Sequence, residues 1–289
     1  MKKIKLSVVL ATFNEEKNIT ACLDSIREIA DELVIVDGSS SDRTVEIAKK
    51  FQATVVVTNN PPNFHINKQK ALEMAKGEWI LQLDADEQLT KELSFEIVKV
   101  ISMTNDEIEE YQKHLSKKSL FLRHQHLIEE RDGKIGEDTG NYTAFFIPRL
   151  NFFLGKFLHH GGVYPDGVIR LVKNGKARFP AKDVHEQIAI EGRVGWLEND
   201  LVHMADPTFQ RYLLRNSRYI DLITEDMKRK NEQKNIKNFF NYVIIKPLSW
   251  FFMTQIRHKG LLDGFPGIIF SFFSALRFPR AYWRYLKND

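Results

Sequence analysis

The stretch ILQLDADEQLT, residues 80–90, runs from apolar residues into three carboxylates, Asp84, Asp86 and Glu87. Carboxylates this close repel and raise each other's pKa unless a cation neutralises them. Two aspartates separated by one small residue can turn both side chains to one side of a tight turn. Hard oxygen ligands with open positions suit Mg²⁺ or Mn²⁺, and such an ion usually shares its shell with substrate phosphates. Glu87 and Thr90 read instead as caps of the following helix. Similar groups stand upstream. Asp37 closes ELVIVD (32–37), and Thr12, Asn14 and Glu15 follow LSVVLA (6–11).

These residues need a scaffold that brings them to one edge. Short β-branched runs at 6–11, 32–37, 54–58 and 79–84 alternate with amphipathic helical patterns around 17–29, 42–51 and 67–76. That alternation predicts an α/β fold, a mostly parallel sheet with helices on both faces. In open α/β sheets ligands bind outside the carboxyl ends of the strands. Thr12, Asp37, Asp84 and Asp86 all fall there. A polar helical stretch at 91–118 and a charged loop at 129–140 follow. YTAFFIPR, VIRLVKNGKARF and QIAIEGRVGWL then read as antiparallel strands with glycine turns. From Phe209 the pattern is helical, and Pro247, Pro266 and Pro279 are expected to cut it into short pieces.

Taken together, LSVVLATFNEE, LVIVDGSSSDRTVEIAKKF and AKGEWILQLDADE resemble the GT-A fold inverting glycosyltransferases of family 2. IPRLNFFLGKFLHHGGVYPDGVIRLVKNGKARF, KDVHEQI and LENDLVHMA are similar to the bacterial subgroup that adds hexoses to lipopolysaccharide core and related glycolipids. The resemblance covers about residues 4–220. It implies a GT-A catalytic domain over 1–208, with a nucleotide-sugar half at about 1–90 and an acceptor half at about 141–208. A helical region, 209–289, follows.

The resemblance also implies roles. Thr12 and Asp37 would hold the nucleotide base, with Asn14 and Glu15 beside them. Asp84 would meet the ribose and the metal's water shell, and Asp86 would ligate a Mg²⁺ or Mn²⁺ that bridges the diphosphate. Lys68 would approach the base or diphosphate, or remain a solvated lysine. His203 would complete the metal shell, or be structural. Inversion needs one base on the far face of the donor sugar. The acid of V-H-E, Glu186, takes that place, with Asp183 as the fallback and His185 orienting a loop or acceptor; a plainer reading leaves Glu186 merely exposed or pairs it with Arg193. Gly161, Gly162, Tyr164 and Asp166 would form the sugar and acceptor loop, with Val163 where the subgroup usually carries Trp. Two other readings stay open: a catalytically silent nucleotide- or glycan-binding protein on this scaffold, and a sugar nucleotidyltransferase. The second usually carries a glycine-rich basic loop after the first strand, where this chain has ATFNEEKN.

The chain has 289 residues, 43% of them hydrophobic, enough for a sizeable core. The single cysteine, Cys22, reads as a small buried hydrophobe and excludes an intrachain disulfide. The N-terminal apolar run is short and strand-like, unlike a signal peptide. The net charge of +4 is uneven: from Met227 onward twelve Lys/Arg face three Asp/Glu, and fourteen aromatics lie between Phe239 and Tyr285. No nucleic-acid-reading motif accompanies that charge. The longest uncharged run after residue 209, GFPGIIFSFFSAL, has 13 residues, short of the roughly 20 a spanning helix needs. The expectation is therefore a cytoplasmic protein lying on an anionic membrane surface, with packing on the catalytic domain or on a second subunit as the alternative.

Overall fold

The computed structural model describes residues 4–180 and 187–287. In chain order the first elements are β1 (Leu6–Thr12), α1 (Ile19–Ile26), β2 (Glu32–Asp37), α2 (Thr44–Lys50), β3 (Thr54–Val57), α3 (His65–Met74), β4 (Trp79–Leu83) and β5 (Glu87–Leu89). Then come α4 (Lys91–Val100), α5 (Asn105–Lys113), α6 (Lys118–Asp132), β6 (Tyr142–Ile147), β7 (Arg149–Phe153), β8 (Lys156–Leu158) and β9 (Val168–Lys173). The rest are β10 (Ala177–Arg178), β11 (Ala189–Ile190), β12 (Arg193–Trp196), β13 (Leu201–Asp206), α7 (Phe209–Arg229), α8 (Ile236–Phe240), α9 (Lys246–Phe252), α10 (Gly264–Ala275) and α11 (Arg277–Lys287). The chain divides into two compact units. The first holds residues 1–149 and 165–203, the second residues 150–164 and 204–289.

The first unit is built on a seven-stranded sheet of order β12-β6-β9-β4-β1-β2-β3. The strands β4, β1, β2 and β3 are parallel neighbours, and β9 runs antiparallel to both β4 and β6. Period-2 alternation sends side chains to two cores. Val8, Leu10, Ile35, Leu81 and Leu83 pack with α1 and α4 on one face. Val9, Val34, Val36 and Ile80 pack with α3 and α6 on the other. Helices therefore cover both faces, which is the α/β layout expected of a GT-A fold. A side chain such as Leu81, with no exposed surface, contributes about 1.5–3 kcal/mol by burial.

Two expectations are corrected here. The polar helical stretch at 91–118 is interrupted: α4 ends at Val100, and Thr104 opens α5 with a capping box, its hydroxyl accepting from the Glu107 amide while Glu107 accepts from the Thr104 amide at 2.7 Å. The charged segment at 129–140 is helix up to Asp132, because LRHQHLIEER is made of tolerable helix formers. It stops at Gly133, whose φ of 94° side chains rarely adopt.

In the second unit β7 and β8 form an antiparallel hairpin, and α7 packs along α11 around Ile220, Met227, Tyr242 and Tyr282. The prolines do not cut this region as expected. Residues 236–257 are continuously helical, with wider π-turns at Asn241–Ile245 and Met253–Arg257 on either side of α9. Pro247 sits at the start of α9, where the π-turn before it accommodates the missing amide. Pro266 and Pro279 fall in the first turns of α10 and α11, where no intrahelical N–H is lost.

Candidate active site

The register of the parallel strands sets Thr12 beside Asp37 and Leu10 beside Leu83. The residues after these strands therefore share one sheet edge. Asp37 is fully buried. Its carboxylate accepts from the Thr12 hydroxyl at 2.8 Å, and from the Ser40 amide and hydroxyl at 2.7 Å each. Three donors fix its orientation, so a ligand meets an acceptor already aimed. Asn14, at φ 56°, accepts from the Ser41 amide at 2.8 Å and so ties the two loops together. The Glu15 carboxylate accepts from Asn18 at 2.7 Å at the entry to α1.

Asp84, Ala85 and Asp86 form the predicted tight turn. The Glu87 amide donates to the Asp84 carbonyl, and the Asp84 amide donates to the Glu87 carboxylate, both at 2.9 Å. Glu87 is not a cap. It is fully buried and paired to Arg170 at 2.7 Å and Arg149 at 3.4 Å. Thr90 does cap α4, accepting from the Leu93 amide. The distinction follows from position: Glu87 opens β5 and faces inward, whereas Thr90 directly precedes a helix.

Asp84 is held between two cations, Lys68 Nζ at 2.6 Å and Arg170 Nη2 at 2.5 Å. Burial works against its ionisation, but Arg170 and Lys68 prevail and hold its carboxyl well below the usual range. Burial pushes the Lys68 ammonium down, and Asp84 counters part of that. The ion pairs continue through Arg170 to Glu87, through Glu87 to Arg149, and from Arg149 to Asp166 at 2.9 Å. Three cations and three carboxylates thus balance one another across α3, the turn after β4, β5, β7, β9 and the turn before β9. Lys68 is buried, so the reading of a solvated lysine does not hold. Arg170, Arg149 and the buried role of Glu87 were not anticipated from sequence. A lone arginine inside VIRLV, an otherwise apolar strand, was the available signal.

His203 pairs in register with Glu87 across β13 and β5, and its Nε2 lies 3.7 Å from Asp86 Oδ2. Among the described residues no group of three His, Cys, Asp or Glu side chains closes around one point. Asp84 faces Lys68 and Arg170 instead of completing such a group. The neighbouring imidazole and carboxylate still fit a Mn²⁺ or Mg²⁺ whose remaining positions come from phosphate and water. Cys22 is buried, and burial pushes its thiol up, in keeping with the inert reading.

The loop expected to meet sugar and acceptor is divided between the units. Asp166 and Gly167 belong to the first. The Gly167 amide donates to His124 Nε2 at 2.9 Å, and a side chain at Gly167 would meet the Trp196 ring at 2.2 Å. Gly161, Gly162 and Tyr164 belong to the second unit. There Gly161 and Gly162 have φ of 70° and 76°, and the Gly161 amide donates to the His258 carbonyl at 2.8 Å. Tyr164 lies 6.1 Å from His159, ring to ring. Glu186, Asp183 and His185 lie outside the described residues. Arg193, the alternative partner of Glu186, bonds Glu109 at 2.5 Å and Tyr142 at 2.7 Å.

Residues 7–160 match the family described as glycosyl transferase family 2. An uncharacterized glycosyltransferase of Rickettsia bellii is 38% identical over 104 residues, which is 36% of this chain and 35% of that protein. The aligned part is thus about a third of the length of that relative. A lipopolysaccharide core biosynthesis glycosyltransferase, LpsC, of Rhizobium meliloti is 23% identical over 297 residues, covering 95% of this chain and 92% of its own. Among solved structures, glucosyl-3-phosphoglycerate synthase of Mycobacterium tuberculosis is 28% identical, with a TM-score of 0.27 over 29% of this chain and 34% of that one.

Proposed function

The chain belongs to glycosyl transferase family 2, and from that premise we propose that it moves a hexose from a UDP-sugar to a lipid-linked or lipopolysaccharide-core saccharide, with inversion, at the cytoplasmic face of a membrane. It is a glycosyltransferase; the donor, acceptor and stereochemistry are the proposal. The observation that carries it is the shared sheet edge at which Asp37 ends β2 and Asp84 and Asp86 follow β4. The full-length similarity to LpsC supports a core-saccharide acceptor.

In this reading Asp37, braced by Thr12 and Ser40, holds the nucleotide base. Lys68 and Arg170, paired with Asp84 and Glu87, lie where the diphosphate would gather negative charge. Asp86 and His203 would hold the divalent ion, which supplies electrostatic stabilisation of the leaving diphosphate when bound. Glu186 takes the proton of the acceptor hydroxyl as that oxygen attacks the anomeric carbon in line. The bond from that carbon to the diphosphate oxygen breaks, and the nucleoside diphosphate departs with the electron pair.

The deciding assay measures nucleoside diphosphate release with a panel of nucleotide-sugars and extracted glycolipids. Release that depends on acceptor and abolishes on Glu186→Gln, with UDP affinity unchanged, supports the reading. Tight UDP binding without release from any donor would favour a silent binding protein.

A further inference from the structure

We propose that the second unit docks on one leaflet of an anionic membrane through the outward face of α9, α10 and the π-turns beside α9, lying in the interface without crossing it. This rests on the glycolipid acceptor proposed above only for its biological sense; the physical case is separate.

The two helical segments are inside out. α10 buries Gly267, Ser271, Ser274 and Ala275 and exposes Phe265, Ile268 and Phe272. Residues 246–257 bury Pro247, Thr254 and Gln255 and expose Leu248, Phe252 and Ile256. Buried polar groups bond one another across the hairpin. Gln255 donates to the Gly267 carbonyl at 3.2 Å, and the Trp250 indole donates to Ser271's neighbour Ser274 at 3.0 Å. Gly267, Ser271 and Ala275 recur every four residues. A side chain at Gly267 would stand 2.3 Å from the Gly260 carbonyl in the turn just before α10, and Gln255 donates across the hairpin to the Ser271 hydroxyl at 2.5 Å. Small and polar residues between helices, with large apolar residues outside, is how helices pack in lipid. In water the same helix would place its apolar stripe inward.

Leu261 and Leu262, 57% and 64% exposed, join the face between the two segments. So large an uncovered apolar surface marks an interaction site. The exposed charges flanking these segments in sequence select the occupant. Lys234, Lys237, Arg257, Lys259 and Arg280 are all exposed. The acid nearest in sequence, Asp263, is buried and accepts from the His160 amide at 2.8 Å. A second copy of this chain would set basic residues against basic residues. An anionic leaflet offers both an apolar interior and opposite charge.

A spanning arrangement is the sharper competitor. Residues Gly260–Lys287 form one helical stretch of 28 residues, long and apolar enough to cross a membrane by length and composition, and so longer than the 13-residue uncharged run considered from sequence. Its second half is tied down elsewhere. Tyr285 donates to the Glu232 carbonyl at 2.6 Å, Thr224 donates to the Ala281 carbonyl at 3.3 Å, and Arg284 pairs with Asp221. α7, along which α11 lies, carries eight charged residues among 21. That helix cannot enter hydrocarbon, so α11 cannot either. Of that stretch α10 remains to meet lipid, and its 12 residues are too few to span.

The test uses the full chain with phosphatidylcholine vesicles, with and without phosphatidylglycerol. The expected result is sedimentation with the anionic vesicles at low salt and partial release at high salt. Phe265→Glu with Phe272→Glu, and separately Leu248→Glu with Phe252→Glu, should cut the bound fraction about tenfold or more. UDP affinity, read in parallel, should not move, which separates this test from that of the transferase reading. Vesicle-bound protein should be released by alkaline carbonate; retention would overturn the in-plane arrangement in favour of a span. Protein that stays in the supernatant, or a self-association abolished by the same variants, would overturn the lipid surface. Should a variant misfold, quenching of wild-type tryptophan fluorescence by brominated-lipid vesicles decides the point, since absence of quenching refutes insertion.

Discussion

Arg170 Nη2 lies 2.5 Å from Asp84 Oδ2 and 2.7 Å from Glu87 Oε1, so one guanidinium nitrogen joins the acidic turn to the strand after it. Arg170 Nη1 adds Gln82 at 2.5 Å. The fork geometry of arginine is what lets a single buried side chain reach three acceptors on β4 and β5. Removing it would leave Glu87 with no exposed surface and only the more distant Arg149. Arg170→Met should therefore destabilise the first unit by about 3–5 kcal/mol, the usual cost of breaking a buried pair. Arg170→Lys should lose less, because it keeps the charge and forfeits the fork. Urea unfolding followed by circular dichroism reads both. A loss under about 1 kcal/mol for Arg170→Met, the scale of an exposed pair, would show that the network contributes little.

Asp37 is the second site where a single atom type matters. Its carboxylate accepts three hydrogen bonds from Thr12 and Ser40. An amide offers one oxygen and turns a donor toward those hydroxyls. Asp37→Asn should weaken UDP binding about tenfold, near 1.4 kcal/mol, the scale of a hydrogen bond to a charged group. Thr12→Val, which removes one brace only, should weaken it less. Calorimetry with UDP measures each. Unchanged affinity in Asp37→Asn would remove Asp37 from the nucleotide site.

Much of this was legible because strand ends are legible. ELVIVD and WILQLD state both their burial and their exit point, so Asp37, Asp84 and the tight turn could be placed from spacing alone. The network around Asp84 was harder. Lys68 precedes it by 16 residues and Arg170 follows it by 86, and only the antiparallel insertion of β9 beside β4 brings Arg170 there. Non-local pairing of that kind has no signature in a window of sequence. The helix ending at Asp132 was missed for a different reason: its charges resemble a loop, while its continuity depends on propensity and on Gly133 ending it. The prolines misled because their cost was counted as if each fell mid-helix. Pro266 and Pro279 stand in first turns, and a π-turn precedes Pro247.

The turn carrying Asp166 gives a pH dependence. His124 Nε2 accepts from the Gly167 amide, which requires the neutral ring. Burial pushes the His124 pKa down, with Asp166 opposing and Arg131 adding to the depression. A depressed folded-state pKa means that the neutral form is favoured by folding. The stabilisation is then present above the unfolded value near 6.5 and is lost as pH falls through the folded value. Wild-type stability should decline on acidification below about pH 6, and His124→Gln, which cannot titrate, should flatten that part of the profile. Thermal unfolding between pH 5 and 8, a range near the histidine pKa of roughly 6.5, would measure it. Identical slopes in the two proteins would remove His124 as the source.

The last prediction concerns the divalent ion. Asp84 is already neutralised by Lys68 and Arg170, so the acid left to face an ion is Asp86, with His203 beside it at 3.7 Å. Two protein ligands make a weak site alone, because Mg²⁺ and Mn²⁺ demand about six oxygen or nitrogen positions. The diphosphate would supply others, so metal and nucleotide should bind with positive coupling: UDP should raise Mn²⁺ affinity, and Mn²⁺ should raise UDP affinity by the same factor. Asp86→Asn should abolish that coupling, and His203→Ala should reduce it, with losses on the order of ten- to a hundredfold. Metal-independent UDP binding through Asp37 should persist in both variants, since neither touches that pocket. Titration calorimetry of UDP with Mn²⁺ and with EDTA separates the two contributions. Equal UDP affinity in Mn²⁺ and in EDTA for the wild-type chain would show that Asp86 and His203 hold no ion, and that Lys68 and Arg170 alone meet the diphosphate charge.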